Sequence, residues 1–180
     1  MAKALAHAEL HAKDKGTLGQ LAVAKELMRR GLPVFMEVGD NSKTDLVVIR
    51  KDQCIRIQVK SYKKNTYGSV VIFATKSGPG YKFTYRETDF DIFAVYLYET
   101  DEILYVPLAE VLKNKSKKIT IRVKPPKNNQ NAGIRIIADY RSFNKAVKYI
   151  NGKPIEYSVG KTAEKPRTRR FVTDHVIKQY

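Results

Sequence analysis

The sequence predicts an α/β domain, and three features carry that prediction. One is an apolar stripe at helical spacing between Thr17 and Arg30. The others are two pairs of strand-like runs, one about the tight turn Lys51-Asp52-Gln53 and one about Glu99-Thr100-Asp101-Glu102. At 180 residues the chain is long enough to bury a core without staples. The lone Cys54 has no partner for an internal disulfide, and no secretory signal or long apolar span is evident, so a soluble cytoplasmic protein is expected. A formal charge of +16 exceeds what solubility needs and implies a polyanionic partner, nucleic acid first. Because Lys and Arg lie mostly among strands and loops, no basic amphipathic helix points to a membrane surface. A ribosome-associated protein would carry the same bulk charge, so charge selects a class of partner and not an activity.

Residues 1–15 are Ala-rich and read as an N-terminal arm or helix, residues 16–150 as the core domain, and 151–180 as a basic extension that includes Lys165, Arg167, Arg169 and Arg170. His7 and His11 share a helical spacing, but Ala8 stands where a zinc-protease pattern needs Glu. Gly16 reads as a break. Thr17 is then the expected N-cap, with Gln20 at the N3 position of a capping box and Leu21, Ala24, Leu27 and Met28 as the core stripe, ending at Gly31. Leu32 to Val38 follows as a strand with Pro33 near its start, where proline is tolerated.

The stretch Thr44 to Ser61 is a β-hairpin. Its apolar runs, Leu46 to Ile49 and Cys54 to Val59, flank the turn. Side chains alternate along a strand, so Ile55, Ile57 and Val59 share one face, and Arg56, Gln58 and Lys60 share the other. An even-length loop sets Asp45 across from Gln58 and Lys60, so that a carboxylate, an amide and an ammonium meet at one sheet end. Ser69 to Thr75 reads as a further strand and Lys76 to Gly80 as a flexible turn before Tyr81-Lys82-Phe83-Thr84-Tyr85-Arg86. Asp91 to Tyr98 and Ile103 to Val106 form the second hairpin, followed by a short helix from Leu108 to Lys113. Ile119 to Val123 and Gly133 to Ala138 are strands about the loop Pro125 to Asn131, and Tyr140 to Ile150 is a final helix.

The ordered set Gly19-Gln20-Leu21-Ala22-Val23, Gly39-Asp40-Asn41, Asp45-Leu46-Val47-Val48, Gln58-Val59-Lys60, Asp91 to Tyr96 and Tyr105-Val106-Pro107 resembles the PD-(D/E)xK nuclease superfamily. Within it, the set is most similar to the small group I intron-encoded homing endonucleases. The resemblance spans about Gly16 to Leu112. It implies a restriction endonuclease-like core, with a mixed β-sheet flanked by helices, and a Mg²⁺- (or Mn²⁺-) dependent activity on double-stranded DNA, exerted by a homodimer or homotetramer. It also implies Asp45 as the central metal ligand, the Val59 carbonyl as a second, and Lys60 as the group that orients or activates water. Gln58 stands where a carboxylate is usual, and Gln at that position is known in the intron-encoded branch. Gln20 stands where related chains commonly carry Glu.

Several readings stay open at this point. Gln20 is either a substitution that disables cutting or a native residue. In the native case, either Asp40, Glu37 or Glu26 supplies a surrogate ligand or the chain binds without cutting. A Holliday-junction resolvase and a non-catalytic nucleic-acid-binding module on the same scaffold are the alternatives to a homing-type enzyme. Candidate DNA contacts are Lys63, Lys64, Lys76, Tyr81, Lys82 and Arg86, together with Lys117, Lys118, Arg122 and Lys124 from a stretch, Lys113 to Lys127, of seven basic residues and no acidic one.

Overall fold

The computed structural model describes residues 10–39, 41–64, 68–123 and 135–152. The expectations for His7, Asp40, Lys124, the loop from Pro125 to Asn131 and the extension after 152 lie outside the described residues. In chain order the elements are α1 (Ala12–Arg29), β1 (Val34–Met36), β2 (Leu46–Arg50), β3 (Gln53–Tyr62), β4 (Ser69–Phe73), β5 (Thr75–Gly78), β6 (Tyr81–Thr84), β7 (Ile92–Leu97), β8 (Glu102–Pro107), α2 (Leu108–Lys113), β9 (Lys118–Arg122), β10 (Arg135–Ile136), α3 (Ile137–Tyr140) and α4 (Phe143–Ile150). The main sheet has the order β1-β2-β3-β7-β8. It is mixed, because β3 runs antiparallel to β2 and parallel to β7. A second sheet has the order β10-β9-β4, and β5 and β6 form a separate two-stranded ribbon. No helix among the described residues is long and apolar enough to cross a membrane.

Each layer follows from the apolar pattern. On one face of the main sheet, Val23, Ala24 and Leu27 of α1 and Phe143, Ala146 and Val147 of α4 cover Ile55, Ile57, Val59, Ala94 and Tyr105. On the other face, Val70 and Ile72 of β4 and Ile119 and Ile121 of β9 cover Phe93, Val95, Leu97, Leu104 and Val106. Strand β7 is therefore buried on both faces, which is why Ile92 to Leu97 is an unbroken apolar run without alternation.

Several expectations need correction. The helix begins at Ala12 and passes through Gly16; Thr17 is inside it and donates its hydroxyl to the Lys13 carbonyl at 3.2 Å. The local sequence satisfies a capping box, yet five more residues upstream, Ala12 to Gly16, are already helical. The buried stripe is Gly19, Val23, Ala24 and Leu27, whereas Leu21 and Met28 are exposed. Close approach to β3 sets that phase: a Cβ at Gly19 would stand 2.2 Å from Ser61 Oγ, which donates to the Lys15 carbonyl at 2.7 Å. Lys76 to Gly80, expected as a flexible turn, instead supplies most of β5 and a Pro79-Gly80 turn with Gly80 at φ +78°. Near the end, Gly133 to Ala138 contributes only Arg135–Ile136 as strand among the described residues. The last helix starts at Phe143, where the Ser142 side chain accepts from the Lys145 N–H.

The seat of α1 on β3 is testable. Gly19→Ala should destabilise the fold by about 1–3 kcal/mol through overpacking, despite alanine's better helix propensity. Combining it with Ser61→Ala should recover much of that loss in denaturant melts. Equal instability of the single and double variants would contradict the packing account.

Candidate active site

The expected hairpin forms with a two-residue turn, Arg50 pairing with Gln53, and Lys51 takes a left-handed φ of 54°. Continuing the register past Leu46↔Ile57 brings Asp45 beside Gln58. Here the ladder loosens. The Asp45 N–H bonds to the Ile57 carbonyl at 2.9 Å, and the Val59 N–H finds the Asp45 carboxylate, at 2.6 Å, in place of a backbone carbonyl. The Gln58 side-chain amide donates to the same carboxylate oxygen and, at 3.3 Å, to the Val59 carbonyl. With its oxygen turned that way instead, the amide would face two acceptors, so the hydrogen bonding fixes the orientation.

Gln20, carried one residue beyond Gly19, approaches the same carboxylate from α1 and favours its charged form. Lys60 lies on the same side, and its ammonium donates to the Tyr85 hydroxyl at 3.3 Å and sits 5.7 Å from that ring's centre. Burial raises the Asp45 carboxyl above its ordinary value. The Val59 N–H, the Lys60 charge and the Gln20 amide each pull it back, while the Glu37 charge adds to the rise. Burial, and then the charge of Asp45, push the Tyr85 phenol up to about 12, so it stays a neutral hydroxyl beside the lysine.

The structure thus brings together Asp45, Gln58, Val59, Lys60 and Gln20. The chain matches the model of a family described as PD-(D/E)XK endonuclease over residues 10–143. The chain belongs to the PD-(D/E)XK endonuclease family. Among solved structures it is similar to a bacterial homing endonuclease, I-Ssp6803I, with a TM-score of 0.65 and 22% identity over 79% of this chain and 97% of that one. That likeness shows the fold. No curated protein sequence matches the chain.

The basic candidates divide into groups. Lys76, Tyr81 and Lys82 are exposed on the β5–β6 ribbon, which is rooted at Tyr85 beside Lys60. Arg86 is exposed just after it and pairs with Asp89 at 3.5 Å. Lys63 and Lys64 lie past the end of β3 and engage Glu99, by an ion pair at 3.8 Å and a backbone N–H at 3.3 Å respectively. Lys117 is spent internally, donating to the Leu112 carbonyl at 2.6 Å, whereas Lys118 and Arg122 are exposed on the outer face of β9. A surface depression of about 490 Å³ between α1 and the β7–β8 hairpin, lined by Leu18, Leu21 and Arg141 among others, includes none of the Asp45 group.

Two participants are not placed at this centre by the sequence; Tyr85 reads there, with Tyr81, as stacking or packing beside the lysines of a DNA groove. Tyr85 looked like one more aromatic in a basic stretch, and only folding brings it to Lys60. Gly19 had a signal, since a glycine inside a helix costs stability unless a close approach requires it. Of the surrogate acids, Glu37 acts on Asp45 through its charge, but its carboxylate also accepts from the Ser42 N–H and hydroxyl, both at 3.0 Å. Glu26 pairs instead with Arg30.

The raised Asp45 carboxyl has a signed consequence. An acid whose folded pKa exceeds its unfolded value is the more protonated in the folded chain. Its ionisation therefore costs stability as pH rises from about 3.8 through the folded value. Asp45→Asn, which keeps an acceptor for Val59 and Gln58, should melt a few degrees higher than the parent at pH 7. The gap should close as pH falls toward 4, measured by thermal unfolding across pH. A gap that does not change with pH would refute this account.

Proposed function

We propose that this chain is a metal-dependent endonuclease that hydrolyses phosphodiester bonds in double-stranded DNA at specific sites, in the manner of homing enzymes. The observation that carries the reading is the convergence of the Asp45 carboxylate and the Val59 carbonyl on one point, now filled by the Gln58 amide nitrogen, with the Lys60 ammonium on the same side. Two hard oxygens that both accept from one donor suit a divalent cation such as Mg²⁺, which needs few protein ligands and keeps several waters. Turning the Gln58 amide would add a third oxygen. Among the described residues no group of three His, Cys, Asp or Glu side chains comes together, so the donor set is one carboxylate supplemented by neutral oxygens.

A cation held there supplies Lewis-acid activation of the phosphate and of its attacking water. The protein's own groups do the rest. Lys60 sets a positive charge where negative charge builds on the phosphate, steadied by the Tyr85 hydroxyl. The Val59 N–H, the Lys60 charge and the Gln20 amide favour the charged form of Asp45 against the burial that opposes it. The net charge of +16 attracts the duplex and makes binding steeply salt-dependent. Cutting both strands requires two such centres, hence a homodimer or homotetramer. The single carboxylate favours a second reading, a module that binds nucleic acid without cutting.

Cleavage of supercoiled plasmid and of genomic DNA with Mg²⁺ or Mn²⁺ separates the two. Gln20→Glu should raise Mg²⁺-dependent nicking by about 10-fold or more, and Lys60→Ala should abolish it while leaving duplex affinity within about threefold. Tight, metal-independent binding with no cutting by Gln20→Glu on linear, supercoiled or four-way-junction DNA would overturn the nuclease reading in favour of the binding module. Preference for the four-way junction over linear duplex would mark a junction resolvase.

A further inference from the structure

The β5–β6 ribbon has two unlike faces. Antiparallel pairing sets Lys76 opposite Phe83 and Gly78 opposite Tyr81, so these four share one face; Thr75 opposite Thr84 and Ser77 opposite Lys82 make the other. The first face is an aromatic spine. Tyr81 lies across Gly78, where a Cβ would come within 2.5 Å of the ring. Tyr81 stacks on Phe83 with centroids 6.3 Å apart, and Phe83 meets Tyr85 edge-on at 5.2 Å. Tyr85 in turn is wedged against Phe90 and Phe93 in the core, and its N–H continues the ribbon ladder to the Ala74 carbonyl at 2.8 Å. Lys43, held by Asp89, caps Phe83 from 5.0 Å.

The ribbon is thus a stiffened arm whose root touches Lys60. Its second face carries only hydroxyls and an amine, with Ser77, Lys82 and Thr84 exposed and no acid from Thr75 to Thr84. A two-stranded ribbon is of the size the major groove of B-DNA admits, and hydroxyl and ammonium donors pair with the base acceptors displayed there. We propose that the Ser77, Lys82, Thr84 and Thr75 face of this ribbon enters the major groove beside the scissile phosphate and reads base edges, with Lys76 acting on the backbone. The ribbon then sets cleavage position as well as sequence preference, because the reading face and the lysine share one rigid root at Tyr85. This inference rests on the reading of the chain as a duplex-DNA enzyme.

The test is selection from a randomised duplex library by the full chain, without divalent metal, comparing the parent with Ser77→Ala, Lys82→Ala, Thr84→Val and Lys76→Ala. The first three should lose discrimination by roughly tenfold or more at two to four contiguous base pairs, while total duplex affinity in low salt stays within about threefold. Lys76→Ala should keep the selected motif and flatten the salt dependence by about one counterion. If the parent selects a motif and the three variants select the same one with equal discrimination, the ribbon is not the reader, and the wider reading stands. A parent that selects no motif at all overturns both this inference and the site-specific function on which it rests.

Discussion

One hydrogen bond organises the centre: the Val59 N–H donating to the side chain of Asp45 where a backbone carbonyl would stand in a regular ladder. Strand β3 is the middle of the main sheet, and beyond Gln58 it outruns β2, keeping only β7 as a strand neighbour. A central strand that loses a neighbour must still satisfy its N–H groups. Asp45 does so at the point of divergence. An acid is thereby fixed at the mouth of the sheet, with Gln58 and Lys60 projecting to its side by the period-two geometry of the strand.

Among the described residues, most of the other acids are engaged in holding the scaffold. Asp91 accepts from the backbone and guanidinium of Arg56, Asp89 from Lys43 and the Arg86 N–H, and Glu110 from Arg135 and Tyr140. Their charges are balanced locally, so the surplus of lysines and arginines is presented outward on strands and loops. Asp45 differs in being braced largely by amides, which hold a carboxylate without neutralising it.

Much of this was legible in the sequence wherever a single periodicity governed. The two faces of β3 followed from alternation, and Asp45 fell beside Gln58 because the turn length fixed the register. The start of α1 was not legible, since Thr17 to Gln20 forms a locally consistent cap and only packing against β3 tells the helix to run on. The phase of α1 was missed for the same reason: Leu21 and Met28 look like core until the contact between Gly19 and Ser61 rotates the buried side away from them. The ribbon was hidden because its strands have no core face of their own. Its Gly-Pro-Gly tip reads as slack until Tyr81 is seen to rest on Gly78.

The Gln58 amide has a bearing on how the chain reaches its native state. A carboxylate at that position would bring two like charges together during synthesis and folding. Glutamine instead donates to both oxygens and leaves them paired, so the centre can assemble as ordinary interior, with its hydrogen bonds complete. The Asp45 centre is then built by the fold alone.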